Sequence, residues 1–302
     1  MSEYSIRELE KLSGIKAHTI RIWEKRYNLI SPKRTSTNIR FYSDEDLKKI
    51  LNISMLNRNG LKISKIAGMN RDELTNQVSV VAGDIWSFET QIESLLLATI
   101  DLDEKMFEKI LSKCIIQMGF EDTIINVVYP FLNRIGILWQ TGNINPAQEH
   151  FISNLIRQKL IVAIDGIILR DNHDCKKFIL FLPDGELHEI ALLFIYYLIK
   201  KRGHKAIYLG QSVPMDDVRS VYDVFEPDYL VTYFTASIQF KDLQNRIKEY
   251  HELFSDAKLL KLILAGNQVE LLDIKTEKSN IFKMSNTNDL IQFLHSIRVL
   301  AN

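Results

Sequence analysis

The stretch Phe178-Ile179-Leu180-Phe181-Leu182-Pro183-Asp184-Gly185-Glu186-Leu187-His188 constrains this chain most. Consecutive large apolar residues predict a strand, Pro183-Asp184-Gly185 a turn, and the amphipathic run after His188 a helix. The order then repeats. Strand-like runs fall at 178–182, 206–209, 229–233, 259–264 and 280–283, and helix-like runs at 187–201, 215–225, 240–254 and 289–300. Such alternation predicts a parallel five-stranded sheet wrapped on both faces, with right-handed crossovers that put every strand-end loop on one edge. Open α/β sheets bind ligands at that edge. Its loops hold His188, Gly210-Gln211-Ser212 and Ala265-Gly266-Asn267, whose small residues leave room for a ligand. Histidine is the commonest metal ligand among side chains, and Glu186 stands two residues before His188.

At 302 residues the chain is long enough for two or three domains, and 46% hydrophobic with 25% charged residues is the composition of a globular protein. No apolar run approaches the roughly 20 residues of a membrane span. The start, Met1-Ser2-Glu3-Tyr4, lacks the pattern of a signal peptide. Two cysteines, Cys114 and Cys175, argue against a disulfide framework and fit the cytoplasm. The net charge of zero conceals an asymmetry. Residues 1–70 hold 14 Lys+Arg against 7 Asp+Glu, so a basic head stands on an acidic body and only the head suits a polyanion.

Within the head, Ile6, Leu9 and Leu12 have helical spacing, Gly14 breaks that helix, and residues 17–27 form a second with Ile20, Trp23 and Tyr27 on one stripe. Two short helices around a glycine turn make a helix-turn-helix. The second helix exposes His18, Thr19, Arg21, Lys25 and Arg26, which can meet base edges and phosphates in a major groove. The following segment carries Lys33, Arg34 and Arg40 among Pro32, Ser36, Thr37 and Asn38, the composition of a short wing that grips phosphates. Ser43 caps the next helix with Asp46 three residues on. Gly60 ends that helix, and residues 63–69 form a fourth.

The ordered set Tyr4-Ser5-Ile6, Thr19-Ile20-Arg21-Ile22-Trp23-Glu24 and Arg40-Phe41-Tyr42-Ser43 resembles a MerR-family winged helix over about 70 residues. The resemblance implies DNA contacts from Thr19, Arg21, Arg34, Arg40 and Tyr42.

Residues 78–172 read as a four-helix bundle. Cys114 shares an apolar stripe with Phe107, Ile110 and Leu111, and reads as packing. Trp139 closes the third helix, and Glu149-His150 open the fourth after a Gly/Asn/Pro loop. These three residues at one bundle end can cover a flat ligand.

No Gly-x-Gly-x-x-Gly follows the strand at 178–182 and no Walker lysine is present, which disfavours dinucleotides and nucleotide triphosphates. The tail instead resembles a cobalamin-binding domain. Glu186-Leu187-His188 is similar to the acid-x-His core of its base-off motif, and Tyr208-Leu209-Gly210 to its second strand end. In that resemblance His188 is the cobalt ligand, with Glu186 fixing its tautomer. Gly185, Gly210, Ser212 and Gly266 line the cofactor, and Trp139, Glu149 and His150 cap it. Departures are Ala191 for a glycine, Tyr233 where a serine is expected, Ala265 for the first of two glycines, and Gln140 where the best-known photoreceptors have a capping histidine. His173, His204, His251 and His295 read as surface.

Head (1–75), bundle (78–172) and Rossmann-like, flavodoxin-like tail (175–302) together resemble the light-responsive MerR-type regulators of the CarH and LitR group. This implies a cytoplasmic, non-enzymatic transcription regulator that binds adenosylcobalamin and has no membrane segment. It would assemble with itself as a dimer or tetramer on a palindromic or repeated double-stranded operator, with light as a candidate signal. Two alternatives stand beside it: a MerR-type regulator whose degenerate, cofactor-free tail binds protein partners, and a corrinoid methyl carrier.

Overall fold

Helix α1 (Ile6–Ser13) begins at a reciprocal capping box: Ser5 Oγ accepts from the Glu8 amide while Glu8 accepts from the Ser5 amide. It ends at Gly14, whose left-handed φ of 69° a side chain would resist. After a three-residue turn, α2 (Ala17–Tyr27) buries Ile20 and Trp23. The two-stranded wing, β1 (Lys33–Arg34) and antiparallel β2 (Arg40–Phe41), precedes α3 (Asp44–Arg58), whose Ser43–Asp46 box forms as expected. The short α4 (Ile63–Ala67) follows. The computed structural model describes residues 3–35, 38–84, 87–168, 175–235, 240–257, 260–271 and 280–297. They fall into two compact units, 1–155 and 156–302.

One helix was not anticipated. Helix α5 (Arg71–Asp84) runs through residues 75–78, where the sequence suggested a boundary. Asn70 and Glu73 cap it reciprocally, and Leu74, Val78 and Val81 bury one stripe. Next come α6 (Phe88–Asp101), α7 (Glu104–Met118), α8 (Phe120–Thr123), α9 (Tyr129–Gln140) and α10 (Pro146–Asp165). A single π turn, Ile124–Val128, joins α8 to α9. Cys114 is fully buried and its thiol is pushed up to about 11 by burial, so it is packing.

Within the first unit an ion-pair network ties the head to α6. Arg58 reaches Glu93 and Glu89, each at 3.0 Å, and donates to the Ser13 carbonyl at 2.5 Å. Burial pushes the Glu93 carboxyl up to about 7 even with Arg58 beside it. A Cβ at Gly14 would come within 2.4 Å of Arg58 Nη2, so the guanidinium would have to move off the Ser13 carbonyl.

The second unit contains the parallel sheet: β3 (Lys177–Pro183), β4 (Lys205–Val213), β5 (Tyr229–Tyr233), β6 (Lys261–Ala265) and β7 (Ile281–Met284), in spatial order β4-β3-β5-β6-β7. This is the flavodoxin-like order, with its topological switch at β3. Helices α11 (Ile190–Lys201), α12 (Met215–Phe225) and α13 (Phe240–Leu253) fill the first three crossovers, a 3-10 turn (Asn267–Leu271) lies in the fourth, and α14 (Thr287–Ser296) follows β7. Residues 178–182 are all buried, as a strand covered on both faces requires. Ile179 and Phe181 pack with Leu230, Leu262 and Ile247, whereas Phe178 stacks on Tyr229 at 4.8 Å. The β3–β4 register slips between Leu180↔Tyr208 and Phe181↔Gly210, a bulge that places Gly210 at φ 91°.

His204, expected at the surface, is fully buried. Its Nδ1 accepts from the Lys176 amide at 3.3 Å and its ring lies 5.5 Å from Phe178. The polar run around it hides a tertiary contact made by residues almost 30 positions earlier. His295 is exposed as expected, while His173 and the side chain of His251 lie outside the described residues. Gly266 also differs from expectation. It has φ 113°, and a Cβ there would meet the Phe234 carbonyl oxygen at 2.2 Å. Its smallness allows two backbones to approach.

Two outcomes follow. Burial, with Arg202 and Lys176 nearby, lowers the His204 pKa to about 4 from its usual 6.5. The stability this neutral ring contributes is complete above pH 6.5 and is lost as pH falls toward 4. Between pH 7.5 and 5 the loss is about 2 kcal/mol. His204→Asn, which keeps an acceptor for Lys176, removes that increment from the urea-unfolding difference between the two pH values; equal differences in both proteins would disprove it. Gly266→Ala costs about 2–4 kcal/mol from strain and overlap, read as a lower urea midpoint.

Candidate functional site

The basic face of the head is built on α2 and the wing. His18, Arg21, Lys25 and Arg26 are exposed and Thr19 is half-buried. Lys33 and Arg34 are exposed on β1, and Arg34 donates to the Asn38 side chain at 2.7 Å. Arg40 pairs with Glu24 of α2 at 3.3 Å, which anchors the wing to the helix beside it. Residues 36–37 of the wing lie outside the described residues.

Tyr42 departs from its expected place. It is fully buried, its backbone pairs with Tyr4, and its hydroxyl donates to Glu24 at 3.4 Å. Burial and the Glu24 carboxylate push its phenol up to about 12. Its side chain thus stands behind Arg40 and braces the same glutamate rather than lining the exposed face.

In the second unit, the loop after β3 gathers the predicted cofactor residues. Glu186 is 1% exposed, and its Oε1 accepts from the amides of Leu187 and His188, each at 2.9 Å. The same oxygen lies 2.6 Å from His188 Nδ1. A carboxylate only accepts, so Nδ1 carries the proton and the lone pair of a neutral ring sits on Nε2. The His188 side chain is 63% exposed although its anchor is buried. Glu186 Oε2 accepts from Thr235 Oγ1 at 2.5 Å. Thr235 follows β5, so this set spans the crevice at the switch point between β3 and β5. The sequence signal was a hydroxyl expected near Tyr233; two residues further on, Thr235 supplies it.

Neighbouring groups hold that loop in place. Ser212, with φ 49°, accepts from the Gly185 amide at 2.9 Å and donates to Asp184 at 2.7 Å. Its own amide donates to the Glu186 carbonyl, and Gln211 to the Leu187 carbonyl. Gly185 has φ 81°, with no atom within 4 Å of where a Cβ would lie. Glu189, which the sequence reading missed, accepts from Arg157 at 2.5 Å and from the Tyr208 hydroxyl at 2.6 Å. Burial and Glu189 raise the Tyr208 phenol far above its usual range. Tyr233 is half-buried at the end of β5, opposite Ala265.

Trp139, Glu149 and His150 belong to the first unit. Trp139 is 61% exposed near the end of α9, beside the exposed Gln140. Glu149 accepts from Ser153 at 2.7 Å and lies 3.5 Å from the exposed His150 ring. The loop between Trp139 and Glu149 is pinned to the head, because Asn143 donates to Glu8 of the α1 capping box at 2.9 Å. Among the described residues, no group of three or more His, Cys, Asp or Glu is placed to hold a metal ion, and no helix is long and apolar enough to cross a membrane. The donor set for a metal is therefore a single histidine backed by a buried carboxylate, which suits a metal whose other ligands come from its own macrocycle.

Profiles of known families match the head and the helical bundle. A MerR HTH family regulatory protein profile matches residues 4–73, and a B12 binding domain profile matches residues 91–163. The chain is 28% identical over 251 residues to the HTH-type transcriptional repressor CarH of Myxococcus xanthus, covering 81% of this chain and 83% of the relative. It is 25% identical over 237 residues to the HTH-type transcriptional repressor CarA of the same organism, covering 77% and 76%. A Methanosarcina barkeri monomethylamine corrinoid protein shares the fold over 70% of this chain and 100% of its own, with a TM-score of 0.55 at 13% identity. The chain is a DNA-binding transcriptional regulator that joins a MerR-type helix-turn-helix to a B12-binding domain, homologous to CarH and CarA over most of its length.

Proposed function

We propose that the second unit holds cobalamin, in its adenosyl form, through His188, and that the cofactor sets the oligomeric state and so the affinity for operator DNA. The observation that carries this is the Thr235–Glu186–His188 chain of hydrogen bonds at the topological switch point. An exposed imidazole with its tautomer set by a buried carboxylate is suited to hold a metal through one nitrogen. Bound cobalamin would supply an alkyl-bearing cobalt centre, and His188 would be the residue that holds it. Glu186 and Thr235 orient the ring, and Gly185, Gly210 and Ser212 shape the surrounding loops; the resemblance assigns Trp139, Glu149 and His150 to the cofactor as well. Gly266 serves the site indirectly, through the close approach to Phe234.

On the DNA side, the proposal assigns base and phosphate contacts to His18, Thr19, Arg21, Lys25 and Arg26, and phosphate contacts to Lys33, Arg34 and Arg40. Tyr42 positions Arg40 through Glu24. A two-fold assembly, dimer or tetramer, calls for a palindromic or repeated operator. The relatives CarH and CarA are transcriptional repressors, which supports repression as the output. Labour is divided between a DNA-binding head and a cofactor-binding second unit, with no enzymatic step, and the free Cys114 and Cys175 suit the cytoplasm. Operator and cofactor reinforce one another, because coupling of binding free energies is reciprocal.

A second reading, a cofactor-free tail that binds protein partners, draws on Tyr233 and Ala265 at the strand ends. The likeness to the corrinoid protein is one of fold and carries no methyl transfer. The test titrates adenosyl- and methylcobalamin into the full chain in the dark, following absorption, size-exclusion mass and operator mobility shift. The expected result is a spectral change with a larger mass and tighter DNA binding, weakened at least ten-fold in His188→Ala and less in Thr235→Val. An unchanged spectrum at saturating cofactor selects the cofactor-free reading. Repeating the shift after illumination tests light as the signal: release of DNA assigns it, and retained binding assigns cofactor supply instead.

A further inference from the structure

The charge of the head leaves one prominent side chain of its recognition helix unused. Ile22 is 53% exposed. Ile20 and Trp23 mark the buried side of α2, and at 100° per residue His18, Ile22 and Lys25 lie opposite them, flanked by Arg21 and Arg26. The centre of the outward face is therefore a branched hydrocarbon, with an imidazole one turn before it and an ammonium one turn after. A lone exposed isoleucine is ordinary on a protein surface. This one sits in the middle of a face whose other exposed members are histidine, arginine and lysine, on the helix that helix-turn-helix domains lay in the major groove. Arg21, Lys25 and Arg26 can satisfy phosphates and guanine edges there. Ile22 can offer neither charge nor hydrogen bond, and the apolar feature among major-groove base edges is the C5-methyl of thymine.

We propose that Ile22 is a specificity-determining residue that packs on a thymine methyl in each half-site, an assignment that rests on the DNA-binding reading of the head. Its contribution is burial of hydrocarbon, so it carries sequence preference without counterion release. Burying one methyl group corresponds to about a four-fold change in affinity.

The experiment first selects duplexes from a random-sequence pool with the full chain, with adenosylcobalamin in the dark. Each thymine of the enriched half-site is then replaced singly by deoxyuridine, which lacks only the methyl. At one thymine position the wild-type chain is expected to lose about four-fold in affinity. Ile22→Ala should bind the thymine duplex at least four-fold more weakly and show no further loss with uracil at that position. Its salt dependence should match the wild type, whereas Arg21→Ala should flatten the slope. Because Ile22 is half exposed, the variant should keep its thermal midpoint; Ile22→Val, which retains the branched carbons, should keep most of the uracil sensitivity. The assignment is overturned if uracil costs the wild type nothing at every position, or if Ile22→Ala stays as sensitive to uracil as the wild type. A pool from which the full chain enriches no sequence overturns the DNA-binding reading itself, and with it the role of Ile22.

Discussion

A carboxylate removed from water must recover its lost hydration from donors, and Glu186 does so with two backbone amides, an imidazole and a hydroxyl. Those four donors come from the loop after β3 and the residue Thr235 beyond β5. Satisfying one buried side chain thus sets the path of the loop, the tautomer of His188 and the link between two strand ends. Removing any donor leaves a buried acceptor short of partners, at a cost of roughly 1–3 kcal/mol. The surrounding contacts from Ser212, Gln211 and Arg246 fasten the same loop from outside. The exposed histidine is precise because its support is hidden.

A comparable economy operates in the head, where Glu24 accepts from both Arg40 and Tyr42. One acid of the recognition helix therefore sets the position of the wing. Arg58 acts similarly at the other end, holding the turn of the helix-turn-helix at Ser13 while pairing with Glu93 of α6. Breaking such a buried pair from one side is costly, since the remaining charge has no water to turn to. The Asn143–Glu8 bond adds a second tie between head and bundle.

Much of this was legible in the chain itself, for local reasons. The buried run at 178–182, the breaker at Gly14 and the Ser43–Asp46 cap each depend on residues within one or two turns of one another. Helix α5 follows the same local logic in its Asn70–Glu73 box, but its apolar stripe is only Leu74, Val78 and Val81, too short to mark a helix by periodicity. What escaped was non-local. Tyr42 looked like a polar-tipped contact until its backbone paired with Tyr4, almost forty residues earlier. His204 sat in a run of lysine and arginine, and only Phe178 and Lys176 show that it is buried. A hydroxyl was expected near the end of β5, and only the fold shows that Thr235 is the one that meets Glu186.

The sequence by itself determined the kinds and order of elements, the basic head and the acid-x-His loop, because periodicity, turn chemistry and charge are local properties. Only the tertiary structure decided which hydroxyl completes the Glu186 set, which tyrosine is withdrawn from the DNA face, and why Gly266 must lack a side chain. Each of those depends on atoms brought within a few ångströms by parallel strand pairing or helix packing. A linear pattern does not specify such distances, since the partners lie 32 to 49 residues apart and their approach is set by strand pairing and register.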